Sequence, residues 1–247
     1  MATRTTEMVA TADGSCPVVV ATPDGGGPWP AVLFYMDAGG VRPSLIDMAE
    51  RLADTGYVVA LPELYYRHGA YAPFDTATAF GDPDERSRLF GMLTGLTKEM
   101  VVSDTGALLD FLAGRPDVAG PRVGTTGYCN GGGLSLTAAA RFPERVAAAA
   151  SFHGGNLATD APDSPHRHVA SITGRVYVAG ATDDGSFPPE QAALLGWALS
   201  GAGVEHTIET YPAAHGFAVP DMPTFDADAA ERHWRALDDL FEATLLP

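Results

Sequence analysis

One stretch near the middle of the chain, RVGTTGYCNGGGLSLTAAAR at 122–141, constrains the fold more than any other. A short apolar run at 123–128 meets Cys129 and three glycines, and a helical pattern of small residues follows. We therefore expect Cys129 at a sharp turn from a strand into a helix. Such a turn strains the backbone of its central residue and brings its neighbours close, which Gly127 and Gly131 tolerate.

A sulfur at such a turn projects above the sheet at the N-terminus of the helix. The helix dipole and the free backbone N–H groups there favour a thiolate over the ordinary thiol, whose reference pKa is about 8.5. The pattern therefore indicates that Cys129 is a nucleophile. The same pattern also suits a buried structural cysteine beside a glycine-rich turn, so the rest of the chain must decide between the two.

The order of apolar runs and helical patterns predicts the fold class. The chain has 247 residues and 46% hydrophobic content, which suits one large core, and we expect a single domain over 1–247. Strand-like runs such as AVLFYM and YVVALP alternate with helical patterns, which predicts an α/β fold, a mostly parallel sheet with helices on both faces. The runs EMVA and PVVVAT near the start predict an antiparallel hairpin at a sheet edge.

A segment at about 64–98 interrupts this alternation. It is rich in turn residues and aromatic residues and carries two nearby arginines, Arg86 and Arg88. We expect a loop-rich insert, either a lid or substrate wall or a solvated excursion with a short helix. A helix over 99–112 is predicted to follow it. The last helix is predicted to bury one face formed by Phe225, Ala230, Trp234, Leu237 and Phe241.

Charge and cysteine content limit the partners. The formal net charge of −16 disfavours nucleic acid and anionic membrane surfaces, because no local cluster of Lys or Arg offsets it. Two cysteines, Cys16 and Cys129, give no disulfide framework. The first residues lack the apolar core of a signal peptide, so a cytoplasmic protein without a membrane partner is expected, as a monomer or homodimer.

A cysteine nucleophile needs a base, and seven histidines compete for that role. His215 is predicted to be the base, because it follows the last strand in a turn with small neighbours and would emerge at the same sheet edge as the sulfur. His153 follows the strand after the nucleophile helix and would lie near the site. The pair His166 and His168 is a weak metal signal without a clear third ligand, and we expect neither a metal nor an organic cofactor.

An acid must orient that base, and the candidates are Asp183 and Asp184. Both lie in the loop GATDDGSFPPEQ, between a strand and a helix. A carboxylate there would hold the imidazole in the tautomer that accepts the thiol proton. The chain order of nucleophile, acid and histidine is the one typical of this architecture. The residues themselves leave both aspartates open.

An oxyanion hole requires two backbone N–H donors. One is predicted to come from Asn130, directly after the nucleophile, and the other from the turn YMDAGG after the third strand, where we expect Ala38 to supply it. Gly39 and Gly40 would let the backbone approach a substrate, or would only form the turn.

Four segments together, MDAGGV, GYCNGGG, GATDDGSFPPEQ and YPAAHGF, resemble the dienelactone hydrolase family, cysteine-nucleophile members of the α/β-hydrolase fold. The resemblance runs from about 18 to 241. It implies a triad of Cys129, Asp184 and His215, with Asp184 preferred because the acid of that family stands four residues before a proline. It also implies that Asp37 partners the cysteine in the resting state.

The resemblance implies an ester or lactone as substrate, and two family arginines bear on which one. In that family, arginines bind the carboxylate of the dienelactone. The resemblance matches one of them to Arg88, but the other falls on Val219. Arg88 and Tyr128 are predicted substrate contacts. Since an aliphatic side chain cannot replace bidentate recognition by arginine, we expect cleavage of carboxylic esters or lactones without selectivity for the anionic dienelactone.

Two other functions stay open at the level of sequence. The chain could be a binding protein on the same fold without turnover, because a fold does not imply a function. Cys129 could instead sense oxidants, which the lack of a nearby second cysteine weakens.

Overall fold

Strands and helices alternate along most of the chain in the computed structural model, which describes residues 1–246. The strands are β1 (Thr3–Thr11), β2 (Gly14–Thr22), β3 (Trp29–Tyr35), β4 (Val58–Pro62), β5 (Val118–Tyr128), β6 (Val146–Phe152), β7 (Arg175–Asp183) and β8 (His206–Ala214). The α-helices are α1 (Pro43–Asp54), α2 (Pro83–Gly95), α3 (Lys98–Ala113), α4 (Asn130–Arg141), α5 (Pro189–Gly201) and α6 (Ala227–Leu245). Short 3₁₀ helices lie at Tyr66–His68, Pro165–Arg167 and Val169–Ser171.

The strands form one sheet in the order β1-β2-β4-β3-β5-β6-β7-β8. The β1–β2 and β2–β4 pairs are antiparallel, and the others are parallel. The whole of β4 and β6 is buried, as expected for strands covered by helices on both faces. The predicted fold class, a mostly parallel α/β sheet, is confirmed, and so is the edge hairpin.

The insert at 64–98 contains more regular structure than its sequence suggests. Helix α2 begins after Asp82, whose side chain accepts hydrogen bonds from the backbone N–H groups of Asp84 and Glu85. The helix buries Leu89, and Phe74 before it is also buried. The second half of the insert is therefore helical, because an N-capped helix packs there on the core. The sequence offered a helix in this segment only as a short one within one of two alternatives.

The last helix covers the sheet with the face predicted from its spacing. Trp234, Leu237 and Phe241 are buried on α6, but Phe225 precedes the helix and is 41% exposed. The prediction that Phe225 belongs to that face is wrong, because the helix begins two residues later. Over residues 1–246, no helix combines the length and apolar character that a membrane span requires.

The sheet order brings distant parts of the chain to one edge. Because β3, β5, β6, β7 and β8 are parallel, their carboxyl ends meet at the same side of the sheet. The loops that follow these strands carry Ala38, Cys129, His153, Asp184 and His215.

Candidate active site

Cys129 occupies a strained turn between β5 and α4. Its backbone angles are φ 54° and ψ −120°, a conformation that L-residues rarely adopt. A Cβ atom on Gly127 would overlap the backbone of Gly131, and one on Gly131 would lie 2.5 Å from the carbonyl oxygens of Tyr35 and Met36. Glycine is therefore required at both positions for the turn to close, as the sequence predicts.

The turn places the cysteine at the amino end of α4. Asn130 is the first residue of that helix, so its backbone N–H has no partner within the helix and points out of the helix end. Ala38, in the loop after β3, lines the same cavity as Cys129. The two predicted oxyanion donors thus belong to segments that flank the cysteine.

His215 and Asp184 form a hydrogen-bonded pair. Nδ1 of His215 lies 2.8 Å from Oδ2 of Asp184, and this carboxylate is almost fully buried. The other oxygen, Oδ1, accepts hydrogen bonds from the Ser186 hydroxyl and backbone N–H at 2.6 and 2.9 Å. A carboxylate fixed in this way orients the imidazole and leaves Nε2 as the nitrogen available to the sulfur.

The two neighbouring aspartates have different roles in this loop. Asp183 is exposed, and its backbone carbonyl accepts a hydrogen bond from the N–H of His215 at 3.0 Å. Asp184 supplies the carboxylate that contacts the ring. Between the candidates that the sequence leaves open, the geometry favours Asp184 as the orienting acid.

Opposing forces act on the ionisation of this pair. Burial disfavours the charged form of His215, but hydrogen bonds with Asp184 and the Cys129 sulfur outweigh burial and raise the pKa of His215 to about 10. Burial likewise disfavours charge on Asp184, but its hydrogen bonds with His215 and Ser186 hold its pKa below the ordinary value. The site therefore favours the imidazolium form of His215 beside the ionised carboxylate of Asp184.

A small cavity of about 70 Å³ opens onto these groups. Its walls come from the loop after β3, the insert, the cysteine turn and the loops after β6 and β8. The lining residues are Asp37, Ala38, Gly39, Thr76, Phe80, Cys129, His153, His215, Gly216 and Met222. The set includes neither lysine nor arginine. The insert thus forms part of a wall, through Thr76 and Phe80.

Comparisons with known proteins identify the family to which the chain belongs. The model of the dienelactone hydrolase family matches residues 16–245. The chain belongs to the dienelactone hydrolase family. A relative from Synechocystis sp. that carries the provisional name carboxymethylenebutenolidase is 30% identical over 230 residues, covering 92% of this chain and 91% of the relative.

Solved structures show the same fold. A protein from Klebsiella pneumoniae, provisionally named a dienelactone hydrolase, superposes with a TM-score of 0.85 at 23% identity, covering 98% of both chains. A dienelactone hydrolase-like promiscuous phosphotriesterase from metagenomic libraries gives a TM-score of 0.78 at 26% identity, again covering 98% of both. The predicted family and the predicted enzyme class, a hydrolase of the dienelactone hydrolase type, are confirmed.

His153 is a site residue that the sequence suggested only by its place after β6. Its Nδ1 accepts a hydrogen bond from the Cys129 N–H at 3.2 Å, and its ring centroid is 5.1 Å from that of His215. Burial first, and then repulsion from His215 and His233, hold the pKa of His153 well below the ordinary value. His153 is therefore a neutral ring that supports the backbone of the cysteine turn.

The acid of the dienelactone hydrolase family's third-strand turn has a different partner in this chain. Both carboxylate oxygens of Asp37 accept hydrogen bonds from Arg42, at 2.6 and 2.9 Å. Oδ1 also accepts the N–H of Gly39 at 2.8 Å. The expected contact of Asp37 with the cysteine is replaced by this ion pair, because a buried guanidinium binds a carboxylate bidentately and with charge.

Arg88 lies away from the site. Its guanidinium donates hydrogen bonds to Glu85 and to the carbonyl of Ala72, and it stacks 3.8 Å from the ring centroid of Phe74. It is not among the residues that line the cavity. The prediction of Arg88 as a substrate contact is corrected, because α2 directs the side chain onto its own insert.

Tyr128 points into the core instead of the cavity. It is fully buried and stacks on Phe34 at a centroid distance of 4.9 Å. Its hydroxyl lies 2.9 Å from Nε2 of His233, whose Nδ1 donates to the carbonyl of Ala230, so the tyrosine is the donor. The prediction of Tyr128 as a substrate contact is corrected, because alternate residues of a strand face opposite sides of the sheet.

The remaining candidates for other chemistry lie elsewhere. Cys16 is buried, and burial is the main reason that its pKa rises to about 12. His166 pairs with Ser164 through Nδ1 at 2.9 Å. Among residues 1–246, no group of three or more His, Cys, Asp and Glu side chains is arranged to hold a metal ion.

Proposed function

We propose that this member of the dienelactone hydrolase family cleaves carboxylic esters or lactones with Cys129 as nucleophile, His215 as acid and base, and Asp184 as orienting acid. The observation that carries the proposal is the 2.8 Å bond between His215 and Asp184 beside a cysteine in a strained strand-to-helix turn. A structural cysteine would need neither the strained turn nor the oriented imidazole.

In the first step the Cys129 thiolate attacks the carbonyl carbon, forming a C–S bond and placing negative charge on the carbonyl oxygen. The N–H groups of Ala38 and Asn130 stabilise that oxyanion. The C–O bond then breaks, and the His215 imidazolium gives its proton to the departing alkoxide. The products are a thioester and an alcohol, or a single acyl-enzyme chain when the substrate is a lactone.

In the second step the now neutral His215 removes a proton from a water molecule. The hydroxide formed attacks the thioester carbon, the C–S bond breaks, and the thiolate and imidazolium return. Asp184 keeps Nδ1 protonated throughout and so keeps Nε2 on the reacting side. A carboxylic acid is released as its anion, with one proton lost to solvent.

The lining of the cavity supports neutral rather than anionic substrates. The position of the second family arginine is Val219, which is fully buried, and none of the described residues that line the cavity is arginine or lysine. Ala38, Phe80 and Met222 offer apolar contacts. Relatives carry the provisional name carboxymethylenebutenolidase, but among the residues that line the cavity of this chain none is a cation that would bind the carboxylate of such a lactone.

Hydrolysis of aryl esters by the intact protein and a set of single variants tests the proposal. We expect an initial burst that releases one molecule of alcohol per enzyme molecule, followed by steady turnover. Cys129→Ala should abolish both, and Asp184→Asn should lower kcat by about 10⁴-fold if the wrong tautomer of His215 forms.

Two matched controls separate the site from its surroundings. Cys16→Ala should leave the burst intact, since Cys16 is buried away from the cavity, and Asp183→Asn should leave kcat near that of the natural protein because its carboxylate is exposed. Undiminished turnover by Cys129→Ala would remove the cysteine from the mechanism. No turnover of any charged or neutral ester by the intact protein would favour a binding protein on the same fold.

A further inference from the structure

Arg42 joins two loops that the proposed mechanism uses. It lies just before α1, and its side chain is 4% exposed. On one side it binds Asp37, in the loop that carries Ala38. On the other it binds Asp221, in the segment that follows His215, through Nε at 2.7 Å and a terminal nitrogen at 2.9 Å.

Every donor of this guanidinium is used. Arginine has five N–H groups, and Arg42 makes five hydrogen bonds, four to the two carboxylates and one to the carbonyl of Gly40 at 3.1 Å. A Cβ atom on Gly39 would lie 2.8 Å from a terminal nitrogen of Arg42, so the loop packs directly on the guanidinium. Ala38 is thus held between Asp37 and Gly39.

The group formed by Asp37, Arg42 and Asp221 also contacts the insert. The Thr76 hydroxyl donates to the backbone carbonyl of Asp221 at 2.7 Å, and Thr76 lines the cavity. Asp221 is followed by Met222, another cavity residue. Three walls of the cavity are therefore linked, two of them through Arg42 itself and the insert through the backbone of Asp221.

Stability alone is a weak explanation for such a group. Removing the Arg42 guanidinium and the Asp37 carboxylate from water carries a free-energy cost that their attraction often only offsets. The Asp221 side chain is 34% exposed, so solvent screens its ion pair with Arg42. The arrangement instead fixes the position of the two loops, because a planar guanidinium that binds each carboxylate through two hydrogen bonds sets both the distance and the direction of each carboxylate. The oxyanion donor needs that kind of precision, since a displacement of about 1 Å can cost about 100-fold in rate.

We propose that Arg42 is a positioning residue that holds the Ala38 N–H in the oxyanion hole and keeps its loop in register with the loop of His215. This inference rests on the proposed ester hydrolysis. It also gives Asp37 a role in this chain, as an anchor of the oxyanion loop through Arg42.

The test compares acylation with alkylation in Arg42→Lys. Lysine keeps the charge but cannot bridge two carboxylates in a plane. We expect kcat for an aryl ester to fall by about 10- to 100-fold with KM little changed. Alkylation of Cys129 by iodoacetamide forms no oxyanion, so its rate and its pH profile should match those of the natural protein.

Two further variants sharpen the comparison. Asp221→Asn keeps the Asp37 pair and should lower kcat less than Arg42→Lys. Arg67→Lys is the matched control, because Arg67 also clamps two carboxylates, Asp13 and Asp104, away from the cavity. It should leave kcat unchanged.

Unchanged kcat in Arg42→Lys would overturn the inference, and so would a parallel loss of acylation and alkylation, which would mean general damage to the site. Hydrogen exchange provides a readout that does not need turnover. Faster exchange at 36–41 and 215–222 in Arg42→Lys supports the clamp, and unchanged exchange overturns it. If the natural protein hydrolyses no ester, the proposed function fails, and exchange alone still decides the clamp.

Discussion

His215 illustrates how much a single residue depends on its immediate neighbours. An isolated imidazole is mostly neutral at neutral pH, but between Asp184 and the Cys129 sulfur its pKa is raised to about 10. Because the folded pKa lies above the unfolded one, the stabilisation from this charge is complete below about pH 6.5 and is lost as the pH rises towards 10.

We predict that His215→Gln slows alkylation of Cys129 by iodoacetamide about 10- to 30-fold at pH 7. Without the imidazolium, only a few per cent of an ordinary thiol is ionised at that pH. The difference between the two proteins should shrink as the pH rises through the reference thiol pKa of about 8.5 towards 10. Mass spectrometry of Cys129 against time at several pH values measures this.

The second cysteine serves as an internal control in that experiment. Cys16 is buried, its pKa is raised to about 12, and it should stay unmodified in both proteins. Equal alkylation rates at pH 7 would show that His215 does not act on the sulfur.

At the scale of elements, the turn between β5 and α4 depends on close backbone contacts. We predict that Gly131→Ala destabilises the protein by about 1–3 kcal/mol or more, because its Cβ would lie 2.5 Å from two carbonyl oxygens of the β3 end, which cannot move freely. Urea unfolding measures the change in the free energy of unfolding. We also expect kcat of the folded variant to fall, because the cysteine moves with the turn.

Gly91→Ala is the matched control for that substitution. Gly91 is an exposed residue of α2, and no atom lies within 4 Å of where its Cβ would be. Alanine there should stabilise the helix by about 0.5–1 kcal/mol. If Gly131→Ala left the free energy of unfolding unchanged or raised it, as Gly91→Ala is expected to do, the tight packing of the turn would be contradicted.

Elements also show where sequence patterns are weakest. The strands β3, β4 and β6 are continuous apolar runs, so their existence and burial could be predicted. Helix α2 could not, because it buries only Leu89 and Met92 and so has no clear apolar stripe. Its beginning is nevertheless encoded locally, in the capping aspartate and the proline that follows it.

For the molecule as a whole, the net charge of −16 and a cavity without lysine or arginine act in the same direction. We predict that kcat/KM for an ester that carries a free carboxylate is lower than for its methylated, neutral counterpart. The gap should narrow when salt is raised from about 0.01 M to about 0.15 M, because the screening length falls from about 30 to 8 Å.

Initial rates for the matched pair of esters at several salt concentrations measure this effect. The rate for the neutral ester is the control and should change little, since no long-range field acts on it. A preference for the anionic ester at low salt would mean that a cation reaches the substrate, and would overturn the argument from Val219 and the cavity lining.

By itself, the sequence determined the features that depend on neighbours along the chain. The strand, cysteine and glycines at 122–141 specify a strained turn, and the apolar runs specify strands, because both follow from backbone geometry and burial. Only the tertiary structure decided which side chains meet. It placed Asp184 on His215, turned Tyr128 into the core, kept Arg88 on its own insert and gave Asp37 to Arg42. These contacts join residues that the sheet order brings together or that one loop orients, and spacing along the chain does not encode such directions.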